Sequence, residues 1–370
     1  MLPEPTIVTW HGEEEIEPAL ERVPNGPAVF LIQPRAGDPY IGRTMTLKRR
    51  LKRLLRPASS PTRMLNLRAI AREVAYWPAG SRLALWLYAW ELARRHFPDR
   101  YRSLVKLRLP YYVKLILSNR FPRTQVTRRL SARRAGFFGP FRTRAAAERF
   151  ESEFLDLFQI RRCEEDLQPS PDHPGCIYGE MNRCLRPCQQ VVGVEEYQSE
   201  VARVEEFLAT GGEALLKRVA AARDRASDQL EFEEAARQHQ RYERILQVLR
   251  LRDDLAADID RLHGVAVTPS AAADSVELWF LIRGVWRPPR RFALAASTGQ
   301  PVSMDKRLRE VVEMLEAPKV STVERQEHLA ILACWYYSSW RDGEWLRFDS
   351  LESVPYRRLV NAIHRVAVKR

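Results

Sequence analysis

Apolar positions along this chain fall into segments of two different periods. In TLKRRLKRLLR, Leu47, Leu51, Leu54 and Leu55 recur at i, i+4, i+7 and i+8 and make one face of a helix. Upstream, PAVFLI is a short apolar strand, PRAGD a turn, and Tyr40-Ile41 opens a second strand before Gly42, so residues 27–42 predict a hairpin. Ser81 is placed to cap a long helix, SRLALWLYAWELARRHF, which Pro98 ends. YYVKLIL, Tyr111 to Leu117, is strand-like.

Residues 161–187 are rich in Pro, Gly and Cys and lack periodicity. From Glu195 to Arg252 the helical period returns in two stripes. Val201, Val204 and Leu208 mark the first; Phe232, Ala235, Ala236, His239, Tyr242, Leu246 and Leu249 mark the second. Gly211-Gly212 lies between them, which predicts an antiparallel helical pair. HGVAVT, SVELWFLIRGVW and RRFALA then predict successive strands of a meander, and helical patterns fill much of Lys306 to Tyr337. There is no long-period internal repeat.

A length of 370 residues is too great for one ordinary core and predicts two to four domains. The opening MLPEPTIVTWHGEEEIEPALERV is acidic where a signal peptide is basic and then greasy, and no run reaches the roughly 18 apolar residues of a membrane span. A cytoplasmic protein with no membrane partner is therefore expected, and clustered cysteines there read as metal ligands before disulfides.

Charge changes the picture further. The net charge of +13 points to a polyanionic partner. Fifteen Lys or Arg and one acid, Asp99, lie between Arg94 and Arg144, a stretch that includes Arg128, Arg129, Arg133 and Arg134. The Leu47 helix carries a second cluster in Lys48, Arg49, Arg50, Lys52, Arg53 and Arg56. A single such helix is ordinarily a solvated face; two clusters in the first 150 residues favour phosphate binding, with Lys48, Arg49, Arg53 and the four arginines at 128–134 as DNA contacts.

Cys163, Cys176, Cys184 and Cys188 lie within 26 residues, with gaps of twelve, seven and three, and Pro187 directly before the last. The absence of periodic apolar partners argues against four buried small residues. Zinc and an iron–sulfur cluster both accept four thiolates. Cys334, in LAILACWYY, reads as a buried structural thiol.

A strand holding Phe30, a turn, Tyr-Ile-Gly at 40–42, Arg43, and a helix carrying Arg50 resembles the GIY-YIG nuclease domain. FFGPF at 137–141, RRC at 161–163 with the cysteine series ending in CLRPC, and LEFEEAA at 230–236 then follow in the order of the bacterial excinuclease UvrC family. The resemblance spans roughly residues 20–345. It implies an α+β architecture: a small GIY-YIG-like α/β domain (20–110), a basic linker with the cysteine cluster (111–194), a UVR-like helical hairpin (195–255) and a C-terminal α+β region (256–370).

It also implies roles. Tyr40 would help activate water, Arg50 would steady the phosphate, and Arg43 stands where the family usually has lysine. The four cysteines would hold a [4Fe–4S] cluster, with zinc the alternative, and Phe232, Ala235, Ala236 and Tyr242 would pack on the UVR hairpin of a UvrB-like partner. The chain ends about where the family's second nuclease would begin, so at most one incision, on the 3′ side of a lesion in damaged duplex, is implied.

Several positions depart from the family pattern. Phe30 replaces a tyrosine, PDRYR lacks the expected asparagine, and His239-Gln240 stand where the family has Arg-Asp. The glutamate that would hold Mg²⁺ or Mn²⁺ aligns with Ala89, while Glu91 lies two residues on, about 200° round a helix. Two functions follow as expectations: a repair endonuclease of the UvrC type, or a non-catalytic DNA-binding and UvrB-docking factor with a degenerate nuclease domain.

Overall fold

The predicted hairpin forms one side of a four-stranded antiparallel sheet, with its second strand at the edge. In this computed structural model, which describes residues 1–57, 65–131, 134–295, 302–319 and 321–368, β1 (Thr6–Thr9), β2 (Ala28–Pro34), β3 (Tyr40–Thr44) and β4 (Ala71–Pro78) take the order β1-β4-β2-β3. Strand alternation sends Phe30, Ile32, Val74 and Tyr76 to one face, covered by α1 (Ile16–Glu21) and by the leucines of the basic helix α2 (Leu47–Leu54). The sheet begins ahead of residue 20, because β1 pairs with β4 and Arg68 ties Glu13 and Glu17 to the domain at 3.0 and 2.6 Å.

Val29, Leu31, Ala75 and Trp77 take the opposite face, against α3 (Arg82–His96). Ser81 caps α3, its Oγ accepting from Ala84 N at 3.1 Å. Because α3 is apolar nearly all round, it is buried on both sides. The short α4 (Tyr101–Val105) packs against it.

The basic stretch is mostly ordered as a second sheet, β5 (Tyr111–Leu115), β6 (Thr124–Thr127), β7 (Gly136–Phe141) and the short β8 (Ala257–Asp258), in the order β6-β5-β7-β8. FFGPF is β7. A Cβ on Gly139 would fall 2.7 Å from Tyr112 Cδ1 and 2.9 Å from Tyr111 O, so β5 comes this close only to glycine. α5 (Arg144–Leu155) and α7 (Val194–Thr210) cover the sheet with phenylalanines; Phe138 stacks on Phe150 at 5.2 Å and Phe154 on Phe207 at 5.9 Å. Between these two helices the chain is largely irregular apart from α6 (Ile177–Glu180) and one 3-10 turn.

The predicted helical pair is three helices. Gly211 and Gly212, both left-handed (φ 60° and 87°), turn α7 into α8 (Glu213–Asp228), and a second turn at residues 229–231 leads into α9 (Phe232–Arg250). α8 and α9 form the antiparallel hairpin, and only its base is anchored, by Leu215, Val219, Ile245 and Val248. Of the stripe, Phe232, Ala236 and His239 face solvent, while Tyr242, Leu246 and Leu249 nearer the base are partly covered.

The meander forms as β9 (His263–Pro269), β10 (Ser275–Ile282), β11 (Val285–Trp286) and β12 (Arg290–Ala293), joined by β13 (Glu344–Phe348). α10 (Met304–Glu313) and α12 (Tyr356–Val368) cover one face. The other face, with Trp279 and Leu281, closes on α3 together with α11 (Thr322–Tyr336). The first and last units therefore share one core. At its centre Glu327, 2% exposed, accepts from Trp90 Nε1 (3.0 Å), Tyr101 OH (2.7 Å) and Arg102 Nε (2.7 Å). Every strand pair among the described residues is antiparallel and the helices lie outside the sheets, an α+β fold. No described helix is long and apolar enough to cross a membrane.

Candidate functional site

A cleft of about 320 Å³ opens beside the edge strand β3, walled by α3 and α4. Gly42 lets the chain lie flat on the buried Phe30 ring, where a Cβ would come within 2.4 Å of Phe30 Cζ. On one side of Gly42, Tyr40 turns toward α2, and its hydroxyl accepts from Arg50 Nη2 at 3.1 Å. On the other, Arg43 lays its guanidinium over the Trp86 ring of α3, 3.5 Å from the centroid. Desolvation there pulls the Arg43 pKa below its ordinary value, with the nearby Cys334 opposing that shift. Tyr40 and Arg43 line this cleft, on different sides of Gly42, and Arg50 is joined to it through its bond to Tyr40.

Ala89 and Ala93, one helical turn apart on α3, form part of the wall. Glu91 is turned away and bonded to Arg95 at 2.8 Å, and Glu73 does not line the cleft. The one carboxylate in the lining, Asp38, is paired with Arg100. A hard cation needs several carboxylate or carbonyl oxygens; a phenol and the guanidiniums of Arg43 and Arg100 suit a phosphate instead. Sequence reasoning passed over Asp38, Arg100 and Trp86, which carry no motif and meet only through the packing of α3 and α4 on β3.

The predicted DNA contacts divide. Arg49, Arg53, Arg129 and Arg134 are exposed. Lys48 is tied to Glu21, donating to its carbonyl at 2.7 Å. Arg128 donates twice to Leu109 O, at 3.0 and 2.9 Å, and lies over Tyr111. Arg133 lies outside the described residues.

Cys163, Cys176, Cys184 and Cys188 come from the irregular segment after α5. Cys184 and Cys188 are buried, Cys163 and Cys176 half-buried. Burial pushes the Cys184 thiol up to about 11, with the three other cysteines adding to the shift, and raises Cys163 and Cys188 in the same sense. Arg161 Nη1 sits 3.7 Å from Cys163 Sγ. Four thiols are a soft-metal donor set, but among the described residues no group of three or more His, Cys, Asp or Glu is arranged to hold a metal ion.

At the hairpin tip Leu230 and Phe232 are 70% and 69% exposed. Ala236 is exposed and Ala235 half-covered, whereas Tyr242 belongs to the internal seam, with Arg223 5.6 Å above its ring.

Comparison with known proteins places these features in a wider set. Residues 111–207, strands β5–β7 of the second sheet with α5, the cysteine segment and most of α7, match the family described as UvrC/Cho excinuclease, middle domain. The chain is 26% identical over 275 residues to UvrABC system protein C of Acetivibrio thermocellus, and 27% over 272 residues to that of Moorella thermoacetica; each match covers 73% of this chain and 44% of the relative. The protein of the same name from Desulfatibacillum aliphaticivorans is 30% identical over 71% of this chain and 44% of its own length. The chain thus spans less than half the length of these curated relatives. No solved structure matches it.

Proposed function

The chain belongs to the UvrC family, and from that premise we propose that it serves nucleotide excision repair as a DNA-binding factor that docks on a UvrB-type partner and holds a backbone phosphate in its N-terminal cleft without hydrolysing it. The observation that carries this is the wall of the cleft: Ala89 and Ala93 stand there, while Glu91 is turned away and engaged by Arg95. Phosphodiester hydrolysis needs a polarised water and a sink for developing charge, supplied in most nucleases by a carboxylate-held cation. Here Arg50 donates to the Tyr40 oxygen, which leaves the phenolic proton to donate to a phosphate oxygen, and Arg43 supplies positive charge nearby, while Arg100 is held by Asp38. Such a site binds and orients.

A nicking assay on lesion-bearing duplex, with Mn²⁺ and a UvrB-type partner, tests this. The wild-type chain is expected to cut no more than Tyr40→Phe does. Ala89→Glu, which restores a carboxylate to the cleft wall, is expected to add Mn²⁺-dependent nicking that Tyr40→Phe removes. The rival reading, a single 3′ incision, is favoured by the intact Tyr40–Arg50 pair; robust metal-dependent nicking by the wild type, abolished by Tyr40→Phe, would establish it and overturn ours.

The hairpin α8–α9 is the proposed docking element, because its tip exposes Leu230 and Phe232 beside the small Ala236. Exposed aromatic anchors dominate such contacts. Phe232→Ala is expected to weaken capture of a UvrB-type protein about tenfold or more, measured by titration on immobilised partner; unchanged capture sinks the docking role.

For the cysteine segment we propose a [4Fe–4S] cluster held by Cys163, Cys176, Cys184 and Cys188. The donor set supports it: four thiols within 26 residues of sequence, two of them buried, in a segment with little regular backbone. When bound, such a cluster supplies four covalent anchors and a redox-active centre. The chain's own contribution is to exclude water from Cys184 and Cys188 and to set Arg161 against Cys163. Protein purified without oxygen is expected to be brown and to lose its iron in Cys184→Ser; a colourless, zinc-loaded protein would refute the assignment.

A further inference from the structure

Arg43 divides two recesses. On the side away from the Tyr40 cleft lies another, of about 330 Å³, lined by Arg43, Arg82, Trp86 and Trp340, with Met45 at its rim. No carboxylate lines it. Both indoles are only partly buried, although tryptophans are usually well covered. Each has a guanidinium over it, Arg43 3.5 Å from the Trp86 centroid and Arg82 5.0 Å from that of Trp340. The same pairing continues past the end of α11, where Arg341 lies 4.6 Å over Tyr336 and Arg142 5.6 Å over Tyr337. The sequence shows this only as an aromatic run, CWYYSSWR, whose guanidinium partners are Arg341 of the run itself, Arg82 of α3 and Arg142, just before α5.

Flat aromatic and guanidinium planes with two positive charges in the lining, that of Arg82 partly offset by Asp342 behind it, match one ligand chemistry: a nucleobase out of its stack, attached to phosphate. Bases inside a duplex hide their faces, whereas an unpaired base offers a π-surface to indole or guanidinium whatever its identity. We infer that this recess receives an unpaired base of single-stranded DNA whose phosphate lies on the other side of Arg43. The inference rests on the reading of the Tyr40 cleft as a phosphate site, and it assigns Trp340, Trp86 and Arg82 as the groups that distinguish single strand from duplex. Arg43, shared by both recesses, would hold base and phosphate in register.

Fluorescence anisotropy of the full chain with a labelled oligothymidylate strand and with a fully paired hairpin tests this. Trp340→Ala is expected to weaken single-strand binding about five- to tenfold and to leave hairpin binding within about twofold. Trp340→Phe should recover most of the loss, and Trp340→Leu, which fills the space without a π-face, should not. Arg82→Ala should weaken single-strand binding and flatten its salt dependence by about one counterion. If both DNAs bind and neither responds to Trp340, the recess assignment is overturned while the phosphate cleft stands. Losses shared equally by both DNAs in Trp340→Ala but absent in Trp340→Leu mark a packing role and also overturn it. If neither DNA binds the wild-type chain, the cleft reading fails and takes this inference with it.

Discussion

Glu327→Ala is expected to destabilise the protein by about 3–5 kcal/mol. The carboxylate, 2% exposed, accepts from Trp90, Tyr101 and Arg102, all on or beside α3 and α4, while Glu327 itself belongs to α11. Removing it strands the indole N–H and the phenol in an apolar seam, each worth about 1–3 kcal/mol when left unsatisfied. Arg102 costs less, because its side chain is 59% exposed and water can replace its partner. Glu327→Gln keeps an acceptor for Trp90 and Tyr101 and should recover much of the loss. The check is the urea midpoint followed by tryptophan fluorescence. A loss under about 1 kcal/mol for the alanine variant would mean that the seam does not depend on this group.

A second buried glutamate should behave in the opposite way. Glu277, on β10, is 8% exposed; burial pushes its pKa up to about 7, although Trp279 Nε1 donates to it at 3.2 Å and Arg291 lies nearby. The folded state therefore holds its proton between pH 4.5, the ordinary value, and about 7, where the unfolded chain has released it. The stability this contributes is complete below 4.5 and is lost as pH rises through the folded pKa. Glu277→Gln, which never ionises, should match the wild type near pH 4 and exceed it at pH 8 by on the order of 3 kcal/mol. His328, buried and pushed down to about 3, makes the fold less stable on acidification below 6.5, but it does so equally in both proteins and cancels from the difference. Urea unfolding of the pair at the two pH values measures it. A difference that stays constant with pH would rule out Glu277 as its source.

Neither glutamate could have been picked out from its neighbours in the sequence. Glu327 is one of several charged residues in a helix whose partners lie 225 to 237 positions earlier. What was legible was local: the Ser81 cap, the leucine face of α2, the hairpin around PRAGD and the strands of the meander all follow from short-range pattern. The helical region misled for a local reason. Gly211-Gly212 carries a strong turn signal, whereas the second turn is made by Leu230 at φ 62°, a residue that advertises no turn. At the cleft, alignment had already set Ala89 where a carboxylate would stand. The spacing already turned Glu91 away; packing added the Arg100–Asp38 pair and the second recess behind Arg43, neither of which has a spacing to read.

The seam between α3 and α11 also bears on how the protein is made. Trp90 leaves the ribosome 237 residues ahead of Glu327. At roughly 5–20 residues per second, that is a delay on the order of 10–50 s. For that interval the outward side of α3, rich in leucine and tryptophan, has no permanent cover, and the nascent N-terminal unit must either wait unfolded or shelter that surface on a chaperone.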